Sequence, residues 1–166
     1  MSAQTVIDSL EFARAEQELR GSLPVTRLAR LQDGLVDADG SIEFVVKGGR
    51  DGERRPILAL EVSGSLHLQC QRCLGLLDHA LRLSSTLRLV RKGENVGAEA
   101  GDPDAADCID ASSELDVAAL IEDEIVLGLP FAPRHAEASC RNLLSKVQRD
   151  AVRTSVFAKL AALKKI

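Results

Sequence analysis

Leu58-Ala-Leu-Glu-Val-Ser-Gly-Ser-Leu-His-Leu-Gln-Cys70 is the stretch whose reading decides the fold. Apolar residues occupy positions 58, 60, 62, 66 and 68, and Glu61, Ser63, Ser65, His67 and Gln69 fall between them. A period of two sends the first set to one face of a strand and the second to the other. Leu81, Leu83, Leu87 and Leu89, with Arg82, Ser84, Thr86 and Arg88 facing away, repeat the alternation on a return strand. Cys70-Gln-Arg-Cys73 therefore falls at or near the connection of a hairpin, with Cys70 on the buried side by parity.

Outward from that hairpin, Ile42, Phe44 and Val46 alternate after Asp39-Gly40, a turn dipeptide that predicts a hairpin between residues 35–38 and 41–47. Gly48-Gly-Arg-Asp-Gly-Glu53 reads as a polar turn; without a following Lys-Ser/Thr pair it is no phosphate loop. Asp8 or Ser9 caps a predicted helix through Arg20, with Phe12, Ala15, Glu16 and Leu19 in register and Gly21 placed to end it. Residues 24–31 form a second short turn or helix. Residues 92–114 carry Glu94, Glu99, Asp102, Asp104, Asp107, Asp110 and Glu114 with little apolar content, and read as a mobile acidic loop broken by an extended piece at Cys108-Ile109-Asp110. These carboxylates lack the ordered spacing of a calcium loop.

Leu115-Asp-Val-Ala-Ala-Leu-Ile-Glu-Asp-Glu-Ile-Val-Leu-Gly-Leu-Pro130 is the strongest helical pattern, with Val117, Leu120, Ile121, Ile125 and Gly128 on one face and Pro130 as terminator. Glu124 falls inside that arc, which predicts a buried structural acid with a partner such as Arg72 or Arg134, while Glu122 and Asp123 face outward with Val126. Val156, Phe157, Leu160 and Leu163 predict a small amphipathic helix near the end of the chain, too short to stand alone. The expected architecture is one α+β domain over residues 1–166: an antiparallel meander or partly open barrel, covered by one long and one or two short helices, with a basic tail over about 141–166.

Composition narrows the class. The chain has 166 residues, 45% hydrophobic and 28% charged, which suits one globular domain able to bury a sizeable core without a metal. Four cysteines at this length make no disulfide scaffold. The first residues lack the basic and apolar regions of a signal peptide, and no apolar run reaches membrane-spanning length, so a cytoplasmic protein without membrane contact is expected. Net charge is −4, yet residues 134–166 hold eight basic residues against two acids. Arg141, Lys146, Arg149, Arg153, Lys159, Lys164 and Lys165 are the candidate partner-binding or RNA-binding residues, with a solvated helix face as the plainer alternative. With no Trp, no Tyr and four Phe, stacking platforms for bases are scarce.

The candidate metal ligands are Cys70, Cys73, His135 and Cys140, a C-x2-C and H-x4-C pair of halves. Two thiols two residues apart can face one centre, and a tetrahedral structural zinc needs two further thiolate or imidazole donors. The alternatives are buried reduced thiols and, less well suited, a thioredoxin-type redox pair, since a strand rather than a helix follows Cys73. Cys108 is left over as a plain thiol.

Cys70-Gln-Arg-Cys-Leu74, the 115–130 helix with its Glu-Asp-Glu run, Pro133-Arg-His135, Cys140 and Phe157-Ala-Lys-Leu-Ala-Ala-Leu-Lys164 together resemble the YceD family, the large ribosomal RNA subunit accumulation proteins. The resemblance implies a non-enzymatic role in synthesis, processing or stability of 23S rRNA, with ribosomal RNA or a pre-ribosomal particle and its proteins as partners and no small-molecule substrate. Relatives that carry Cys at the position of His135 keep a zinc donor there. Ser155-Val156 stands where relatives often have Asn-Pro, so the rigid start of the last helix is missing. Two other readings compete: a protein adaptor with a structural zinc and no RNA contact, and a small metal-dependent hydrolase. The second lacks an open metal position, and the sequence contains no G-x-S-x-G, H-E-x-x-H or P-loop.

Overall fold

The computed structural model describes residues 6–91, 107–136 and Cys140. In chain order its elements are β1 (Val6–Ile7), α1 (Ser9–Arg14), β2 (Glu18–Pro24), two 3-10 turns (Val25–Arg27 and Ala29–Gly34), β3 (Ser41–Arg50), β4 (Pro56–Gln69), β5 (Leu76–Val90), β6 (Asp107–Asp110), β7 (Leu115–Asp116) and α2 (Val117–Gly128). The mixed α+β class holds. Five strands form one sheet in the order β2-β3-β4-β5-β6, antiparallel except for the parallel β5–β6 pair. The sheet does not close into a barrel; β2 and β6 are its outer strands.

β4 and β5 are the spine, paired from Ile57↔Arg88 to Gln69↔Leu76. Leu58, Leu60, Val62, Leu66 and Leu68 are all buried, as their period of two requires, and join Ile42, Phe44, Val46, Leu81 and Leu87 in one core. α1 contributes Phe12 and Ala13, the 3-10 turns Val25 and Leu31 with Leu28 between them, and α2 Val117, Leu120, Ile121 and Ile125. At about 25 cal/mol per Å² of apolar surface, this cluster supplies the main favourable term in folding. α1 sits so close to β3 that a Cβ on Gly48 would lie 2.4 Å from the Phe12 carbonyl oxygen.

Several local expectations give way to sheet pairing. The N-terminal helix, expected to reach Arg20, stops at Arg14: Asp8 caps it through the Glu11 amide, and Glu16, at φ 50°, turns the chain back. Residues 18–24 instead pair with β3, from Glu18↔Lys47 to Pro24↔Ser41, because a six-residue helix has little intrinsic stability and strand pairing on β3 satisfies a whole row of amides. Gly40 does adopt positive φ, +97°, but no 35–38 strand pairs with β3. Leu35 bridges Leu68, and the Val36 amide donates to the His67 carbonyl at 2.8 Å, so this segment crosses the end of β4. Gly48 and Gly49 lie within β3; the turn is 51–55, where the Asp51 carboxylate accepts from the Glu53 and Arg55 amides and from Arg55 Nε.

α2 is twelve residues, shorter than the long covering helix expected, with Asp116 as its cap on the Ala118 and Ala119 amides. Glu124 is half-buried, and the buried acid of this helix is Glu122, expected on the outer face. It accepts from the Arg30 amide at 2.7 Å, while the Arg30 guanidinium pairs with Asp123. The 3-10 turn 29–34 packs along that flank of α2, and no helical periodicity reports what a neighbouring segment will cover. Arg88, expected outward, is buried at 7% exposure where β6 pairs alongside it. The extended piece at 108–110 is β6; residues 92–106 of the acidic loop and the basic tail lie outside the described residues.

Candidate metal centre

The hairpin between β4 and β5 is closed by a tight turn in which the Leu74 amide donates to the Cys70 carbonyl and the Cys70 amide to the Gly75 carbonyl, each at 2.9 Å. That wrap carries Cys73 back over Cys70. Leu74 takes φ 59°, a left-handed conformation more natural to glycine, and its side chain stands two-thirds exposed. The second half arrives from the end of α2. Leu129 caps the helix in an extended conformation, Pro130 prevents its continuation, and the Pro133 carbonyl accepts from the Gln71 amide at 2.8 Å. This backbone bond, with the His135 amide donating to Cys70 Sγ at 3.5 Å, lays the 131–136 segment against the hairpin tip.

His135 then faces both thiols. Its Nδ1 is 3.4 Å from Cys73 Sγ and 3.6 Å from Cys140 Sγ, and Cys70 Sγ is 3.7 Å from Cys140 Sγ. All four ligand atoms lie within 4.8 Å of one another. A tetrahedral ion with Zn–S near 2.3 Å and Zn–N near 2.0–2.1 Å sets ligand atoms roughly 3.8 Å apart for two sulfurs and 3.5 Å for sulfur and nitrogen. The three measured separations match those edges. His135 Nε2 lies 2.7 Å from the Leu76 carbonyl, an acceptor only, so that nitrogen carries the proton and Nδ1 offers its lone pair to the cluster.

The electrostatics are those of thiols crowded together. Burial alone would raise the Cys70 thiol, but the amides of His135, Cys73 and Arg72 and the Cys73 side chain outweigh it and hold Cys70 down at about 5. Cys140, fully buried, is pushed up to about 11 by burial first, then by donating toward Cys70 and Cys73 and by their negative charge. Three crowded sulfurs do not ionise together unless a positive ion sits among them. The donor set of three thiols and one imidazole fits a structural zinc and fills its four positions.

All four sequence-predicted ligands are brought together. The contributions missed were main-chain ones, the Leu76 carbonyl that orients His135 and the Gln71–Pro133 bond that docks its segment; no side-chain pattern reports them. Arg141, Lys146, Arg149, Arg153, Lys159, Lys164 and Lys165 lie outside the described residues. His67, read as a surface residue by parity, bridges Asp37 at 2.7 Å and Asp78 at 3.4 Å. No described helix is long and apolar enough to cross a membrane.

Residues 58–164 match the family described as Large ribosomal RNA subunit accumulation protein YceD, a span that takes in all four ligands. The chain belongs to the YceD family. The Large ribosomal RNA subunit accumulation protein YceD of Haemophilus influenzae is 26% identical over 141 residues, 81% of this chain and 76% of the relative. No solved structure matches the chain. The YceD match begins at Leu58, so nearly all of β4, the hairpin tip, α2 and the ligand segment fall inside it, whereas α1, β2 and β3 precede it.

Proposed function

We propose that this protein is a cytoplasmic, non-enzymatic factor for accumulation of the large-subunit ribosomal RNA, 23S rRNA, and that a structural zinc held by Cys70, Cys73, His135 and Cys140 fixes the surface it presents. The observation that carries this reading is the family match over residues 58–164, the stretch that builds the whole cluster. The name of the Haemophilus influenzae relative supports the rRNA role. The chemistry of the donor set supports the absence of a reaction: four protein donors fill a tetrahedral ion, and a hydrolytic zinc keeps a position for water. In this reading the pre-ribosomal particle or its RNA is the partner, one domain spans 1–166, and the basic residues from Arg141 to Lys165 add phosphate contacts.

The test is complementation. A strain lacking its own copy is supplied with the wild type or with Cys70→Ser/Cys73→Ser, and the ratio of large- to small-subunit rRNA is measured. The wild type restores the ratio and the double variant does not. A ratio that the deletion leaves unchanged would overturn the rRNA role, and full rescue by the double variant would overturn the part given to zinc.

A further inference from the structure

Phe131 is the one exposed aromatic ring among the described residues; Phe12 and Phe44 are buried. It stands fully out in solvent at 106% relative exposure, where a ring of its size gains nothing from folding. Its place is the first residue after Pro130, on the segment that the Gln71–Pro133 bond lays against the zinc turn. Two arginines flank that backbone bond. Arg72 lies inside the C-x2-C turn and Arg134 immediately precedes the ligand His135; both are exposed, and neither forms an ion pair among the described residues. In a chain with more acids than bases, two arginines with no ion pair among the described residues, one on either side of that bond, are a local positive site. Leu74 completes the surface: it keeps a left-handed backbone in order to project an exposed apolar side chain from the same turn, and strain of that kind persists where the surrounding structure holds it for a purpose.

We infer that the metal-clamped turn is a binding site for single-stranded RNA, in which Phe131 stacks on a base and Arg72 and Arg134 hold the flanking phosphates. This rests on the rRNA role proposed above and moves its principal contact from the basic tail to the zinc turn. An aromatic face beside unpaired guanidinium groups is the combination that recognises unpaired nucleotides without a deep pocket, because every base offers a π-face and every linkage a charge. The zinc serves this site by locking the two backbone segments together, so the ring and the arginines keep one spacing. The stacking residue is a phenylalanine outside any basic run, which is why residue counting alone finds no platform.

The experiment is fluorescence anisotropy of a short, unstructured, mixed-sequence labelled RNA with the full zinc-loaded chain, titrated at several salt concentrations. Phe131→Ala weakens binding about tenfold, and Phe131→Trp restores it. Phe131→Leu, apolar but without a π-face, behaves like Phe131→Ala. Arg72→Ala and Arg134→Ala each lower the slope of log K against log salt by about 0.7. All these side chains are exposed, and zinc content with the far-ultraviolet spectrum of each variant checks its fold. Phe131→Leu binding as tightly as the wild type, or salt slopes left unchanged by both arginine variants, overturns the site. If the wild type binds no RNA yet the rRNA ratio still depends on the chain, the function stands, this contact falls, and the surface belongs to an acidic protein partner. If RNA binding responds to Phe131 while the rRNA ratio is indifferent to the deletion, the site stands and the function falls.

Discussion

His67 shows how much one side chain can tie together in a shallow part of this fold. Its Nδ1 meets Asp37 on the segment that crosses the end of β4, and its Nε2 approaches Asp78, its cross-strand partner on β5. With both ring nitrogens facing carboxylates, the charged imidazolium is the better-satisfied form. The hydrogen bond to Asp37 raises His67 above its ordinary 6.5, burial opposes it, and the charges of Asp37, Asp78 and Asp39 add to the rise. The same bond, together with the Asp39 amide, lowers Asp37 below 3.8. A raised histidine stabilises fully below its unfolded value and loses that stabilisation as pH rises through its folded value; a lowered carboxylate stabilises above its unfolded value and loses it as pH falls through its folded value. The clasp is therefore strongest between about pH 4 and 6.5. Thermal unfolding of His67→Gln against the wild type tests this: the deficit of the variant is largest in that window and shrinks above it, and a deficit constant with pH would contradict it.

At the scale of elements, the sequence was informative where a pattern repeated within one strand and uninformative where a segment took its structure from a neighbour. The alternation over 58–70 and 81–89 placed β4, β5 and the buried side of Cys70, and the Leu120, Ile121, Ile125 spacing placed the core face of α2. Leu19 and Gly21 fit the register of a helix end, whereas the strand form of β2 depends on β3, reached through the two 3-10 turns. Gly48 carries the same lesson. Beside Gly49 it looks like turn punctuation, yet it lies in β3 and its missing Cβ admits the backbone of α1, with the Gly48 amide donating to the Gln17 carbonyl at 2.8 Å. Gly48→Ala therefore forces backbone against backbone and costs about 1–3 kcal/mol, which denaturant unfolding measures as a lower midpoint at unchanged slope. A change within a few tenths of a kcal/mol would mean that α1 can move away freely.

The described residues form a five-stranded sheet and a two-stranded β1–β7 pair, with helices and 3-10 turns packed into one core and a turn at one end where the β4–β5 connection meets the segment leaving α2. The ligand set was legible because thiols and imidazole are rare enough in this chain to be matched by number, and because Pro130 obliges the chain to leave the helix in an extended form. What could not be read was the means of meeting, in which main-chain groups of Gln71, Pro133 and Leu76 tie the two segments together. The core cluster does not include these four residues, so a metal held there would lock a surface instead of creating the fold. Zinc-edge X-ray absorption on the full chain, purified without chelators, tests this most directly. The expected result is zinc with three sulfur neighbours near 2.3 Å and one nitrogen near 2.0–2.1 Å, lost in Cys70→Ser/Cys73→Ser. A wild-type protein without zinc, or one whose zinc keeps oxygen donors in place of these sulfurs, would contradict it.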